Sequence, residues 1–356
     1  MTDNPLDVAD LRDRIDKALA EFVAARVPVL EAVAEELGAL SDAIAEFLLD
    51  GGKRLRPAFC YWGWRAAGGA DSDAIVRAAA ALEILHACAL IHDDVMDGSE
   101  TRRGRPAVHR RFAALHRGEA WRGSPESFGA AAAILLGNMC LIWSDQMLHS
   151  AALDDDALRR ARSTYDEMRV ELMAGQYLDI LESALGGASV ERALRVARYK
   201  SGRYTIERPL RLGAELAGAS TSALSTLARY GLPLGDAFQL RDDVLGVFGD
   251  PAETGKPAGD DLREGKRTVL VAMAVQRATP AQAAVVRRHL ADPHLDTDGV
   301  VRLREVITDT GALAAVEDLV AELTAQALGA LDAADLPTEP ESMLRRLAVA
   351  ATARRG

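Results

Sequence analysis

Apolar residues recur at spacings of three and four along most of this chain, a pattern that predicts amphipathic α-helices. Four long stretches carry it: 74–95, 158–185, 190–216 and 224–248. Alternation of single apolar and polar residues, which would indicate half-buried strands, is rare, and strong helix formers such as Ala, Leu, Glu and Arg are abundant. The sequence therefore predicts an all-α fold.

Glycine and proline mark the interruptions between these helices. The interruptions are at Gly68-Gly69, Gly104-Arg105-Pro106, Gly186-Gly187 and from Gly249 to Gly265. Residues 118–125 predict a polar loop between two helices, and residues 249–266 predict a longer loop of a length that is often functional. No internal repeat and no long linker divides the sequence, so we expect one domain over residues 1–356.

Composition narrows the class of protein. Of the 356 residues 49% are hydrophobic, which is enough for a substantial core. The formal net charge of −11 argues against a nucleic-acid-binding surface, so we expect no nucleic-acid partner. The longest apolar run, 129–143, is interrupted by Gly137 and Asn138 and is shorter than the ~20 residues of a membrane span, so we expect no span.

The cysteines and the first residues indicate the compartment. Cys60, Cys88 and Cys140 are odd in number, and no pair has the spacing of zinc ligands, which argues for a reducing environment. Residues 1–14 are polar and acidic, unlike a signal peptide. We therefore expect a cytoplasmic protein.

Two acidic clusters carry the candidate chemistry: Asp93-Asp94-Val95-Met96-Asp97 and Asp242-Asp243-Val244-Leu245-Gly246. On a helix Asp93 and Asp97 lie about 40° apart on one face, whereas Asp94 points about 100° away from Asp93. Carboxylates beside apolar surface are costly without a partner, and a divalent cation that holds a phosphate substrate is a natural one. The clusters therefore suggest magnesium-dependent diphosphate chemistry, with a weaker second site because its fifth position is Gly246.

Further motifs stand around these clusters in a characteristic order. They are Gly51-Gly52-Lys53-Arg54-Leu55-Arg56-Pro57, Leu85-His86, Ile91-His92 before Asp93, Arg102-Arg103-Gly104 with Pro106 and His109, Gly175-Gln176 with Asp179, Lys200-Ser201, Phe238-Gln239-Leu240-Arg241 before Asp242, Gly255-Lys256 and Gly265-Lys266-Arg267-Thr268. In this order and spacing, from about residue 50 to about residue 270, the chain resembles the trans-isoprenyl diphosphate synthases, also called polyprenyl synthetases.

The resemblance implies both a fold and a reaction. The family fold is an all-α bundle around a deep central cavity, usually in a homodimer, with the two aspartate motifs facing each other across the mouth. The family joins isopentenyl diphosphate head-to-tail to an allylic diphosphate (dimethylallyl, geranyl or farnesyl) and releases pyrophosphate. Three Mg²⁺ ions typically hold the allylic diphosphate.

The resemblance also assigns roles to individual residues. The metal ligands would be Asp93, Asp97 and Asp242, with Asp94 and Asp243 supporting them or binding metal directly. The allylic diphosphate would be clamped by Arg102, Lys200 and Lys256, and isopentenyl diphosphate would be held by Lys53, Arg56, His86 and Arg103. Gln176 and Gln239 lie where the family hydrogen-bonds the reacting ends, Ser201 stands where the family often has Thr, and Lys266 would help to close the site. The pyrophosphate itself would take the final proton, so no side-chain base is assigned.

The product length depends on the residues that precede Asp93 on its helix. Ala89 and Cys88, four and five positions earlier, are small where family members that stop at fifteen carbons often have an aromatic residue. Leu85 is a candidate floor below them. We therefore expect a geranylgeranyl diphosphate (C20) synthase, with farnesyl and longer-chain synthases as alternatives.

Two other classes remain as alternatives. A class I terpene cyclase shares the first aspartate motif, but Asp242-Asp243 does not match its usual second motif, and a cyclase has no use for Lys53, Arg56 and Arg103. The second alternative is a non-catalytic subunit that binds a catalytic synthase and tunes its product length. The glycine at position 246, in place of a carboxylate, is the feature that allows this alternative.

Overall fold

The computed structural model describes residues 10–250, 259–292 and 294–353. The chain divides into two compact units, residues 1–160 with 213–218 and residues 161–212 with 219–356. Helices dominate in both, which confirms the predicted all-α fold. A single domain over the whole chain stays a prediction.

The first unit contains six complete helices and a short two-stranded sheet among its described residues. They are α1 (Leu11–Glu31), a 3₁₀ turn (Glu35–Leu37), α2 (Gly38–Leu49), α3 (Leu55–Ala66), α4 (Asp73–Asp97), β1 (Thr101–Arg102), β2 (Arg105–Pro106), α5 (Val108–Gly118) and α6 (Pro125–His149). The strands pair antiparallel around Gly104, whose φ of 74° suits glycine, so the predicted break is a hairpin.

Helix α4 is the central element of the first unit. The Ser72 side chain accepts a hydrogen bond from the Ile75 N–H and caps its start, and Gly98 ends it at a φ of 67°. The helix is apolar on nearly all sides because it packs against α1, α3 and α6. Ser144 on α6 donates to the Ala81 carbonyl at 2.7 Å, which fixes α4 against α6.

Helices α4 and α6 are both long and apolar enough to cross a membrane by length and composition alone. Helix α6 has 25 residues, so it extends well beyond the apolar run 129–143 seen in the sequence. The most apolar window of α4 is 72% buried, and that of α6 is 39% buried. A helix buried in a protein core passes the same test of length and composition. Such helices are therefore weak evidence for a span.

The second unit is also helical in the part that the structure describes. Its elements are most of α7 (Asp155–Leu185), α8 (Val190–Val196), a π-helix (Ala197–Glu207), α9 (Arg208–Leu216, whose end belongs to the first unit), α10 (Thr221–Phe248), α11 (Asp260–Arg263), α12 (Val269–Arg277), α13 (Pro280–His289), α14 (Thr297–Asp309), α15 (Ala312–Asp332) and α16 (Thr338–Thr352). Helix α10 is central here, because it packs against the π-helix, α15 and α16.

The core of the second unit forms around the C-terminal half of α10. Leu240 and Val244 pack with Leu270 of α12, Leu303 of α14 and Val316 of α15, all of them buried. The sequence predicted one continuous helix over 190–216, but its middle turns are π-helical, with wider turns that often occur at functional sites. The core therefore supports α10 on one side while the π-helix lies against it on another.

Candidate active site

A basic loop joins α2 to α3 in the first unit. Gly51, Gly52 and Arg54 have φ values of 69°, 146° and 46°, so the chain turns sharply in the region that favours glycine. Its carbonyls accept hydrogen bonds from arginines: Arg12 donates to Gly52 O at 3.2 Å, and Arg103 donates to Gly51 O at 3.4 Å. The loop is thus fixed at its turn, and the exposed Lys53 lies on it.

The Arg54 side chain anchors the same loop from inside. It is 3% exposed, and it donates to Glu83 Oε2 and to Asp16 Oδ1, both at 2.8 Å. Glu83 lies on α4 and Asp16 on α1, so one guanidinium ties the loop to two helices. A buried charge is tolerated here because carboxylates pair with it directly.

The predicted isopentenyl diphosphate residues Lys53, Arg56, His86 and Arg103 all belong to the first unit. Removal of the His86 ring from water, together with the charges of Arg56 and Arg103, lowers the pKa of His86 well below its usual 6.5. His86 is therefore neutral near pH 7. Burial also lowers the pKa of Arg103, whose guanidinium lies 5.5 Å from the Phe47 ring centroid.

The hairpin between α4 and α5, which the sequence did not predict, presents both arginines of the Arg102-Arg103 motif. Arg102 Nε donates to Asp94 Oδ1 at 2.9 Å, and its Nη2 forms a second, very short contact with the same carboxylate. The Arg102 Nη2 atom also lies 3.6 Å from Asp93 Oδ2. Asp94 is fully buried, whereas Asp93 and Asp97 are partly exposed on the other side, as the helical angles predict.

The structure separates the chain-length candidates. Leu85 and Cys88 are fully buried, whereas Ala89 is partly exposed. Cys88 Sγ lies 3.8 Å from His92 Nδ1, and His92 Nε2 is 3.1 Å from the Ile134 carbonyl oxygen of α6. Cys88 therefore lies on the side of α4 that contacts α6, and burial raises its thiol pKa to about 11.

All three cysteines are free and buried. Helix α6 approaches His92 at Gly137, where a Cβ would lie 2.2 Å from His92 Nε2. Position 137 thus requires glycine for close packing rather than as an interruption of the helix.

Two close contacts between backbones position the predicted site residues of the second unit. A Cβ at Gly175 would lie 2.3 Å from Lys200 N, and a Cβ at Gly235 would lie 2.5 Å from Gly202 O. Glycine at these positions lets the π-helix pack against α7 and α10. Consequently Lys200 Nζ reaches Asp179 Oδ2 at 2.6 Å.

These contacts place the predicted ligands of the second unit on three adjoining elements. Gln176 lies on α7 together with Asp179, the partner of Lys200. Lys200 and Ser201 lie on the π-helix, and Gln239, Asp242 and Asp243 lie on α10. The Arg208 guanidinium donates to both Glu171 oxygens at 2.9 and 2.7 Å and holds the start of α9 to α7. The predicted ligand Lys256 lies outside the described residues.

The second acidic cluster is crowded with negative charge. Burial raises the pKa of Asp243 well above 3.8, the charges of Asp261 and Asp242 raise it further, and a hydrogen bond from Gln239 at 2.7 Å opposes the shift. Lys266 lies 3.0 Å from Asp261 and 2.7 Å from Glu264, so it is paired with carboxylates, and its role toward a substrate stays a prediction. Sequence reasoning gave Asp261 no role.

Comparisons with known proteins place the chain in a family. A family model described as Polyprenyl synthetase matches residues 38–307. The geranylfarnesyl diphosphate synthase of Aeropyrum pernix is 35% identical over 281 residues, 77% of this chain and 81% of that protein. The nonaprenyl diphosphate synthase of Mycobacterium tuberculosis is 30% identical over 323 residues, 89% of this chain and 88% of that protein.

A solved structure agrees with these sequence matches. The geranylgeranyl pyrophosphate synthase from Corynebacterium glutamicum, complexed with isoprenyl diphosphate and magnesium, has a TM-score of 0.95 and 43% identity, covering 98% of this chain and 100% of that one. The chain belongs to the polyprenyl synthetase family. Its activity is that of a trans-prenyl diphosphate synthase, which confirms the predicted reaction class.

The family depends on magnesium, and the donor chemistry of the two acidic motifs suits that ion. Each aspartate of the two acidic motifs offers carboxylate oxygens, and hard oxygen donors favour Mg²⁺. Within the described ranges no three His, Cys, Asp or Glu side chains already converge on one point as metal ligands. The carboxylates therefore fit the ion by donor type.

Proposed function

We propose that this chain condenses isopentenyl diphosphate with an allylic diphosphate to give geranylgeranyl diphosphate and pyrophosphate. The observation that supports the C20 product is the small, partly exposed Ala89 before Asp93, because Cys88, the other small residue, is buried toward α6. The fully buried Leu85 lies one turn further along α4 and would stop the growing chain. Similarity to the geranylgeranyl pyrophosphate synthase of C. glutamicum supports the same product length, whereas other relatives are named as synthases of longer products.

The isopentenyl diphosphate subsite is proposed to lie on the basic loop of the first unit. Arg56 and Arg103 would neutralise the diphosphate with paired N–H donors, and Lys53 would add a point charge from the exposed turn. His86, whose pKa is lowered by burial and by its arginine neighbours, would hydrogen-bond a phosphate oxygen as a neutral ring. Such a site needs no metal, because cations already balance the anion.

The allylic diphosphate is proposed to bind through magnesium. Asp93 and Asp97 of the first motif and Asp242 of the second would hold the ions, three in number, with Asp243 beside them. Bound magnesium supplies Lewis-acid stabilisation of the charge that develops on the departing pyrophosphate. Asp94 is engaged by Arg102, so its proposed role is to orient that guanidinium toward the substrate rather than to bind metal.

Lysine and amide side chains complete the proposed site. Lys200, held by Asp179, and Lys256 would contact the allylic diphosphate, and Lys266 would move toward it from Asp261. Ser201, Gln176 and Gln239 would donate hydrogen bonds near the reacting carbons, and the departing pyrophosphate would take the proton that is lost. No side-chain base is assigned.

A second copy of the chain is the proposed macromolecular partner. Ile134, Leu135 and Ile142 form an exposed apolar face on α6, at 46%, 60% and 56% exposure. A face of this kind on a helix of a cytoplasmic protein fits burial in a homodimer. Light scattering after size exclusion would measure this, with Leu135→Glu expected to yield the monomer and Arg117→Glu, outside the face, to leave the mass unchanged.

The test of the proposed function is a product assay on the purified chain. Isopentenyl diphosphate and magnesium are supplied with a dimethylallyl, geranyl or farnesyl diphosphate primer, and the dephosphorylated alcohols are sized. A twenty-carbon alcohol from each primer is expected. A fifteen-carbon or much longer alcohol would refute the length assignment, and no product from a folded, magnesium-replete protein would point to a non-catalytic subunit, or to a cyclase if a cyclic hydrocarbon forms.

A further inference from the structure

Two arginines of the second unit share one carboxylate of α7. Arg203 Nη1 and Arg208 Nη2 both lie 2.7 Å from Glu171 Oε1, and Arg208 Nε donates to Glu171 Oε2 at 2.9 Å. The Arg203 and Arg208 side chains are 20% and 5% exposed, so these ion pairs are shielded from water and each charge needs its partner. We call these three side chains the Glu171 bridge.

The spacing of the two arginines matches the π-helix that they close. They are five positions apart, and on an α-helix such residues point about 140° away from each other. In a π-helix residue i+5 lies about one turn above residue i and on the same side. The Arg208 N–H donates to the Arg203 carbonyl, which is the i+5 hydrogen bond of the last π turn. Glu171 therefore links the same two residues that this backbone bond joins.

The register of the π-helix decides which of its residues contact α7 and α10. The backbone of Lys200 lies against Gly175 of α7, and a Cβ at Gly202 would lie 2.8 Å from the Gly235 carbonyl carbon of α10. A register shift of one residue would rotate the preceding part of the helix by about 100°. Gly202 would then leave its contact, and the Lys200 side chain would turn away from Asp179, its present partner.

We propose that Glu171 is a positioning residue for the prenyl transfer. By linking Arg203 to Arg208 it holds the π-helical register, and through that register it directs the Lys200 ammonium toward the allylic diphosphate. Glu171 acts through the helix and not by contact with the substrate. The inference rests on the substrate role of Lys200, which is part of the proposed function.

Steady-state kinetics of the full chain test this role. Glu171→Gln keeps the shape of the side chain and removes its charge, and it is expected to lower kcat/KM for the allylic diphosphate about 10-fold, because Lys200 is no longer directed at its target. The KM for isopentenyl diphosphate is expected to stay within twofold, because the residues proposed to bind that substrate belong to the first unit.

Glu167→Gln is the matched control. Glu167 lies one turn earlier on α7, is 53% exposed and pairs with Arg208 at 3.0 Å. The control therefore removes a carboxylate from the same arginine while the Glu171 bridge stays intact. It is expected to change kcat/KM for either substrate less than twofold.

A double-mutant cycle distinguishes positioning from a general loss of stability. If Glu171 acts through Lys200, adding Glu171→Gln to Lys200→Ala lowers kcat/KM by no more than about twofold beyond Lys200→Ala alone, because the group to be directed is already absent. Arg203→Gln opens the Glu171 bridge from its other end and is expected to reproduce the kinetics of Glu171→Gln. It therefore provides the same test if Glu171→Gln does not fold.

Amide hydrogen exchange followed by mass spectrometry tests the register without turnover. Peptides that cover residues 197–208 are expected to exchange about 10-fold faster in Glu171→Gln and Arg203→Gln than in the parent and in Glu167→Gln. Parental exchange in both bridge variants would overturn the proposal, as would full additivity with Lys200→Ala. If the parent made no prenyl product, the proposed function would fail, while the exchange comparison would still decide whether Glu171 holds the register.

Discussion

Each unit carries an aspartate motif with one buried carboxylate, and the charges around these two carboxylates differ. In the first unit the buried carboxylate of the motif, Asp94, is neutralised by Arg102. In the second unit the corresponding Asp243 accepts a hydrogen bond from the Gln239 amide, and the negative charges of Asp261 and Asp242 act on it more strongly than the positive charge of Lys266. The buried carboxylate of the first motif is thus balanced by an arginine, whereas that of the second lies among further negative charges that a metal ion would relieve.

The two units also hold their cations differently. In the first, arginines are fixed to carbonyls and to buried carboxylates, as Arg54 is to Glu83. In the second, the predicted substrate-binding cations are lysines that pair with aspartates, Lys200 with Asp179 and Lys266 with Asp261, although arginines such as Arg208 also form ion pairs there. Because an ammonium is a point charge on a flexible stem while a guanidinium is a rigid fork, we expect the first unit to be preorganised and the second to rearrange on binding.

The largest effect is expected when an acidic ligand is removed from either motif. Asp93→Ala and Asp242→Ala are each expected to lower kcat by about 1000-fold or more, because each removes magnesium from the departing diphosphate. Steady-state condensation kinetics would measure this, with circular dichroism to verify the fold. Asp154→Ala, on the exposed surface, is the control and is expected to leave kcat unchanged. Normal turnover by Asp93→Ala would refute the metal assignment.

A second prediction concerns preorganisation of the first unit. Arg54→Ala leaves Glu83 buried without its cation, so the free energy of unfolding is expected to fall by about 3–5 kcal/mol. The milder Arg54→Lys is expected to raise KM for isopentenyl diphosphate about 10-fold while KM for the allylic substrate stays within twofold, because it loosens the loop that carries Lys53 and Arg56. Equal changes in both KM values would show that Arg54 has no selective positioning role.

A matched control for Arg54 lies on the same unit. Arg14 forms ion pairs with Asp71 and Asp73, at 2.9 and 3.1 Å, near solvent. Arg14→Ala is therefore expected to change the free energy of unfolding by about 0.5 kcal/mol or less and neither KM value. Urea denaturation followed by circular dichroism measures both variants.

The chain-length positions on α4 provide a third prediction. Ala89→Phe is expected to shorten the product toward fifteen carbons, because its position is partly open. Cys88→Phe is expected instead to destabilise the fold by about 1–3 kcal/mol, since Cys88 packs beside His92 on the side facing α6. Product sizing and thermal unfolding separate these effects. A shorter product from Cys88→Phe with parental stability would contradict the assignment of Cys88 to the helix contact.

The smallest effect is a pH dependence in the first unit. The pKa of folded His86 lies well below 6.5, so below about pH 6.5 the unfolded chain binds a proton that the folded chain does not. The free energy of unfolding is then lost as pH falls, by at most about 1.4 kcal/mol per pH unit from this group. Urea unfolding at pH 5.0, 6.0 and 7.5 measures how the free energy of unfolding changes with pH. This change should be smaller for His86→Asn than for the parent. The same change in both proteins would contradict the lowered pKa.

The long periodic helices could be predicted from sequence because a helix buries one face at a fixed repeat. The expected 74–95, 158–185 and 224–248 agree closely with Asp73–Asp97, Asp155–Leu185 and Thr221–Phe248. The π-helix at Ala197–Glu207 could not be predicted, because its wider turns accompany close backbone contacts at Gly175 and Gly235 that involve residues far apart in the chain. The hairpin at Arg102-Arg103 was likewise too short for any periodic signal.

The sequence by itself determined the family, the reaction class and the residue types of the candidate site. Motif order and donor chemistry are local properties, so Asp93, Asp97 and Asp242 could be singled out without coordinates. Only tertiary structure decided which partner each side chain has: that Arg102 holds Asp94, that Cys88 lies beside His92 toward α6, and that Asp261 fills the place beside Gly246. Such pairings depend on how turns, loops and neighbouring helices pack around each side chain, and no pattern along the chain encodes that packing.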